Sequence, residues 1–133
     1  PNSSLGPNNY GEEKPVANIL IVDDEDIIRE MLRDILEPEG HTIIEAENGH
    51  QGLEKYDPTT IELVITDIMM PEKDGFETIK ELKQIKDDIK IIALTGYGLH
   101  NLPVAFDLGA GRVYEKPIKP KDLKQAVASL LAE

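Results

Sequence analysis

Asp23, Asp24 and Asp67 are the residues of this chain best placed to do chemistry. The first two close the apolar run Ile19-Leu20-Ile21-Val22, and Asp67 closes Leu63-Val64-Ile65-Thr66. A short apolar run that ends in a carboxylate reads as a buried strand delivering acid to one edge of a sheet. Two such strands side by side gather three carboxylates, a costly crowd unless a divalent cation offsets it. Two more runs end in polar groups. Ile91-Ile92-Ala93-Leu94 runs into Thr95, and Arg112-Val113-Tyr114 is followed closely by Lys116-Pro117. A carboxylate nucleophile, acids to hold a cation, a mobile ammonium group and a hydroxyl donor are the parts needed for phosphoryl transfer to a carboxylate. Taken singly, each has a plainer reading: helix caps for Asp23-Asp24, a turn for Asp67, a loop for Thr95, a solvated lysine for Lys116. The case rests on their all falling at strand ends on one edge.

The elements that must position these groups alternate. Strands are predicted over 18–22, 42–45, 62–66, 90–94 and 112–114. Between them, 25–37 has Ile28, Met31, Leu32, Ile35 and Leu36 at helical spacing, and Pro38 and Gly40 stop it. Asn48 caps a helix over 49–56. Residues 75–86 form a helix with Phe76, Ile79, Leu82 and Ile85 inward, and 102–108 a short one. Residues 119–131 form the last, with Leu123, Val127, Leu130 and Leu131 as its stripe. Alternating strands and helices imply an α/β fold with a parallel sheet covered on both faces. Five such units are too few for an eight-stranded barrel and fit a doubly wound, flavodoxin-like sheet of order 2-1-3-4-5 with five helices. Its switch point lies between the first and third strands, where Asp23, Asp24 and Asp67 end up.

Composition narrows the partners. The chain has 133 residues, enough for one domain with a real core, and 26 acidic against 14 basic residues give a net charge of −12. That balance disfavours nucleic acid or an anionic membrane as a direct partner. Cysteine is absent, which excludes a disulfide framework or thiolate metal site and fits a cytoplasmic setting. No apolar run approaches membrane-spanning length. Residues 1–15, rich in Pro, Asn, Ser and Gly, read as a disordered leader, linker or expression remnant, with the domain over 16–133.

The ordered motifs resemble those of the response-regulator receiver domains of two-component signalling, the chemotaxis-type single-domain regulators among them. The matching stretches are Ile19-Leu20-Ile21-Val22-Asp23-Asp24-Glu25, Asp67-Ile68-Met69-Met70-Pro71-Glu72-Lys73-Asp74-Gly75, Ala93-Leu94-Thr95-Gly96, Gly109-Ala110 and Lys116-Pro117-Ile118. The resemblance implies that Asp67 accepts a phosphoryl group from a sensor histidine kinase or phosphotransfer protein. It implies that Asp24, Asp67 and the Met69 carbonyl bind Mg²⁺ (or Mn²⁺) directly, with Asp23 acting through a water. Thr95 and Lys116 contact the phosphoryl group, while Pro71, Gly75 and Pro117 shape loops. The implied result is a switch, not a turnover enzyme, whose output surface is the segment 102–108, the strand 112–114 and the final helix. Such a domain is monomeric without phosphate and open to dimerisation with it. It stands alone or belongs to a DNA-binding regulator or hybrid kinase.

Two departures stand out. The family's aromatic switch position, three residues before the lysine, is Val113, and Tyr114 beside it should face the other way. Met69 and Tyr97 are expected to hinder water, giving slow loss of phosphate, and Gly96 to Pro103 should delay the start of the 102–108 helix. Among other readings, a haloacid-dehalogenase-type phosphatase places its nucleophile in an Asp-x-Asp pattern that Asp24 and Asp26 match in spacing alone. An FMN carrier lacks its phosphate loop here. A docking-only receiver would not need all five side chains.

Overall fold

The computed structural model describes residues 15–68, 75–96 and 110–133. Five parallel strands form one sheet in the order β2-β1-β3-β4-β5. They are β1 (Asn18–Val22), β2 (Thr42–Ala46), β3 (Leu63–Asp67), β4 (Lys90–Thr95) and β5 (Arg112–Glu115). The order is the predicted one. The described residues contain four α-helices: α1 (Asp26–Leu36), α2 (Gly49–Lys55), α3 (Gly75–Ile85) and α4 (Pro120–Leu131). The predicted helix over 102–108 lies outside the described residues.

Two-sided burial explains the apolar runs. Ile19 and Ile21 join Leu63, Ile65, Ile92 and Leu94 in a core closed by α1 and α4 through Leu32, Leu36, Leu123 and Val127. Leu20 and Val22 join Val64, Ile91 and Ala93 in a second core on the other face, closed by Ile79 and Leu82 of α3. Adjacent residues of one strand thus feed opposite cores, as the two-residue period of a strand requires. The central strands are apolar along their interiors, residues 19–22, 63–65 and 91–94, because neither face of them meets water.

Element ends depart from expectation by a residue or two. Glu25 is the N-cap of α1, with no side-chain cap bond, so the helix opens at Asp26. Its far end passes at Glu37 into a 3₁₀ turn, Glu37–Glu39, which closes at Gly40 with φ 99°. That left-handed geometry suits glycine. Asn48 caps α2 as predicted: its side chain accepts from the Gln51 N–H at 2.9 Å. Ile85 corrects the inward stripe of α3, because it is 50% exposed. The helix ends there, past the reach of the sheet. Leu131, Ile28, Met31 and Ile35 are half-buried at the margins of their helices.

Candidate functional site

The parallel register brings the strand ends together. Val22 pairs with Thr66 between β1 and β3, and Asp67 pairs with Leu94 between β3 and β4. Asp23 therefore emerges beside Asp67, and Thr95 and the β5 end follow in line. Asp23 is 1% exposed, Asp67 3% and Thr95 fully buried, while Asp24 is exposed. The Lys116 N–H donates to the Thr95 carbonyl at 2.7 Å, which ties the chain after β5 to the end of β4. The Lys116–Pro117 peptide bond is cis.

Lys116 is the hub. Its Nζ lies 3.1 Å from Asp23 Oδ2, 3.2 Å from Asp67 Oδ2 and 3.3 Å from Glu25 Oε2. Burial works against its charge. Asp23 and Asp67, by charge and by hydrogen bond, override that and hold the ammonium group protonated well above the usual lysine range. Burial pushes the Asp23 carboxyl above its ordinary value, against the opposing pull of the Glu25 N–H and Lys116. The Glu25 N–H donates to Asp23 Oδ1 at 2.9 Å, so both oxygens of Asp23 are engaged. A cavity of about 460 Å³ opens above, lined by Asp24, Glu25, Asp67, Gly96, Lys116 and Pro117.

Gly75 shapes the site by proximity. A Cβ built there would lie 2.2 Å from the Asp67 carbonyl oxygen and 2.5 Å from the Ile68 Cα. The Gly75 N–H also donates to the Ile68 carbonyl at 2.7 Å. Only a residue without a side chain lets α3 start against the end of β3. The predicted contributions of Met69, Pro71 and Tyr97 fall outside the described residues. Val113 packs toward the core under α3, and Tyr114 toward the core under α4, on opposite faces as expected.

The carboxylates suit a hard cation. Oxygens of Asp23, Asp24 and Glu25 come within 4.8 Å of one another, and Asp67 faces the same cavity. All-oxygen carboxylate donors match Mg²⁺. Two residues were not singled out by sequence reasoning. Glu25 joins Lys116, and Arg29, only 8% exposed, donates from Nη1 to the Asp23 carbonyl at 2.6 Å. A cation in the first turn of a helix opposes the helix dipole, and that was the available signal for Arg29.

Comparison with known proteins agrees with this geometry. The sequence model of the response regulator receiver domain matches residues 19–128. Chemotaxis protein CheY of Bacillus subtilis is 39% identical over 115 residues, 85% of this chain and 96% of that one. Response regulator RR06 of Streptococcus pneumoniae is also 39% identical over 115 residues, but the match spans 86% of this chain and 52% of that protein. Among solved structures, a response regulator receiver domain protein from Clostridium thermocellum superposes with a TM-score of 0.83 at 33% identity, covering 87% of this chain and 94% of that one. Response regulator protein TrrA from Thermotoga maritima, solved in complex with Mg(2+)-BeF, gives 0.78 at 39% identity, covering 86% and 98%. With the sheet order, the strand-end acids and these matches together, the chain belongs to the response regulator receiver domain family.

Proposed function

We propose that Asp67 is the phosphoacceptor of this receiver domain, with a histidine kinase or phosphotransfer protein as donor. The observation that carries this is the placement of Asp67. It is buried at the end of β3, bonded to Lys116, and shares its cavity with Asp24 and Glu25. In the transfer, an Asp67 carboxylate oxygen forms a bond to phosphorus as the phosphorus–nitrogen bond to the donor imidazole breaks. The electron pair leaves with the imidazole. Asp24 and Asp67 would hold Mg²⁺, with Asp23 behind them; bound there, the ion offsets charge on the phosphoryl oxygens. The Mg(2+)-BeF complex of the Thermotoga maritima relative supports that assignment. Mn²⁺ has the same donor preference.

Lys116 and Thr95 act as readers. Phosphorylation adds roughly 1.5 to 2 negative charges at Asp67. Lys116 then trades a carboxylate partner for a phosphoryl oxygen, and the Thr95 hydroxyl donates to another. Because Lys116 is tied to Thr95 through the backbone, the two pull on the ends of β4 and β5 together. That gives the modified state a differential interaction, which an equilibrium between two conformations needs in order to shift. The output surface is the chain between β4 and β5, with β5 and α4. The domain is a switch and not a turnover enzyme. Its span of 52% of the Streptococcus pneumoniae relative fits a receiver attached to an output domain, and its span of 96% of the Bacillus subtilis relative fits one that stands alone.

A phosphatase with Asp24 and Asp26 as its acid pair is disfavoured. Asp26 is 92% exposed and bonded to Arg29, away from the cavity. The test is a small-molecule phosphodonor with Mg²⁺. The chain and Asp26→Asn should each gain one phosphoryl group by intact mass, and Asp67→Asn none. Labelling that survives Asp67→Asn and is lost in Asp26→Asn contradicts the proposal.

A further inference from the structure

Arg29 is buried in the first turn of α1, where both desolvation and the helix dipole oppose a cation. We propose that Arg29 is a positioning residue for the divalent-cation site: its guanidinium fixes the peptide unit joining Asp23 to Asp24, and so aims the Asp24 carboxylate. The inference rests on Asp24 being a Mg²⁺ ligand.

The geometry divides the labour sharply. The Asp23 N–H donates to the Ala46 carbonyl of β2 at 3.1 Å. The Asp23 carbonyl, the next polar group along the chain, accepts from Arg29 Nη1 at 2.6 Å. The main chain is thereby held on both sides of the Asp23 Cα. Arg29 Nη2 also donates to Asp26, so one guanidinium spans the start and end of the acidic segment. Asp24, between those anchors, is exposed, and its carboxylate makes no hydrogen bond or ion pair among the described residues. The direction in which its side chain leaves the chain is therefore set by the backbone, which the Ala46 carbonyl and Asp23 Oδ1 hold through the Asp23 and Glu25 N–H groups, and which Arg29 holds at the Asp23–Asp24 peptide unit. A ligand held in place before the ion arrives loses less freedom on binding it.

The arginine is itself braced. Glu45 of β2 accepts from Arg29 Nε at 3.0 Å through one oxygen and from Arg33 Nε at 2.7 Å through the other. Arg33 continues to Glu37 at 2.9 Å and to the Ile43 carbonyl at 3.3 Å. Both arginines fasten α1 to β2, yet of the two only Arg29 bonds to the acidic segment. Arg33 is therefore a control built into the molecule.

The experiment is a Mg²⁺ titration of the full chain followed by backbone amide shifts, with urea unfolding of the metal-free proteins alongside. Arg29→Lys keeps the positive charge, so the field at the site is preserved, but one ammonium nitrogen cannot reach the acceptors that Nε, Nη1 and Nη2 of the planar fork reach separately. The Mg²⁺ Kd should rise about tenfold in Arg29→Lys and less than about twofold in Arg33→Lys, although both lose stability. Amide exchange at Asp24 and Glu25 should quicken only in Arg29→Lys. An unchanged Kd in Arg29→Lys, or an equal rise in Arg33→Lys, overturns the inference. Should Arg29→Lys not fold, Glu45→Gln loosens the brace, with Glu37→Gln as its charge-matched control. A larger loss of affinity in Glu45→Gln is expected, and equal values overturn the inference. Absence of Mg²⁺ binding in the unaltered chain would instead refute the phosphoacceptor reading beneath it.

Discussion

The two ends of the sheet treat polar groups in opposite ways. At the amino end, donors and acceptors are matched within the chain. The Ala17 N–H donates to His41 Nδ1 at 3.1 Å, and the Asn18 N–H donates to Glu62 Oε1 at 2.8 Å. The Asn18 side chain donates to the Thr60 carbonyl at 3.0 Å, and the Glu62 N–H returns a bond to the Asn18 carbonyl at 3.0 Å. At the carboxyl end, Asp23, Glu25 and Asp67 converge on Lys116, with Asp24 beside them. Among the described residues, four carboxylates face one ammonium group there. The amino end is built to hold the strands together through paired donors and acceptors. The carboxyl end is left with more acid than base among the described residues, an arrangement that the proposed function uses to admit a cation and then a phosphoryl group. Proteins break local rules where function requires it.

Substitutions at each end test this contrast. The largest effect is expected at Gly75, where the carboxyl end depends on close backbone approach. Gly75→Ala must displace α3 from the end of β3 and should cost about 3 kcal/mol by urea unfolding. A loss under about 1 kcal/mol would mean that the approach is relaxed. The amino end has one exception to its matching. The buried Tyr56 hydroxyl has no hydrogen-bond partner among the described residues. Tyr56→Phe should therefore raise stability by about 1 kcal/mol, whereas a loss would reveal a partner.

Charge gives the smaller effects. Asp24→Asn removes an exposed, unpartnered like charge and should stabilise the metal-free chain by about 0.5 kcal/mol. The same variant should lack the Mg²⁺-dependent rise in Tm expected of the unaltered chain. A metal-free loss of stability in this variant would show that Asp24 is held by contacts, not by the backbone. His41 supplies the pH signature of the amino end. Burial depresses its pKa below 6.5, against the weaker pull of Glu39 and Glu62, and its Nδ1 must stay unprotonated to accept from Ala17. The unfolded chain then binds the proton first, so the contribution is present above about pH 6.5 and is lost as pH falls below it. Unfolding curves from pH 7.5 to 5 should show that slope, and His41→Gln should flatten it.

Much of this was legible in the sequence because the site sits at strand ends. Apolar runs locate buried parallel strands, and the residue closing each run must emerge on one edge. Asp23, Asp67 and Thr95 needed no more than that. Lys116 was found the same way, with Asp23 and Asp67 expected at the same edge, whereas its third acid partner, Glu25 at the N-cap of α1, was not foreseen. Arg29 escaped because two of its partners, the Asp23 carbonyl six residues back and Glu45 on β2, lie beyond any helical period, and the third, Asp26 three residues back, reads as an ordinary pair on the helix surface. Its side chain reads as the polar face of α1 until Glu45 is seen opposite. Ile85 was misjudged because periodicity marks a helix face and not where the sheet beneath it ends.

The switch is defined by which carboxylate takes the phosphoryl group. An acyl phosphate is reduced by borohydride to an alcohol, converting the phosphorylated aspartate to homoserine while free carboxylates survive. After phosphodonor and Mg²⁺, reduction and peptide mass mapping should find homoserine at residue 67 and aspartate at 23, 24 and 26. Homoserine at any of those three positions, with residue 67 unchanged, would contradict it.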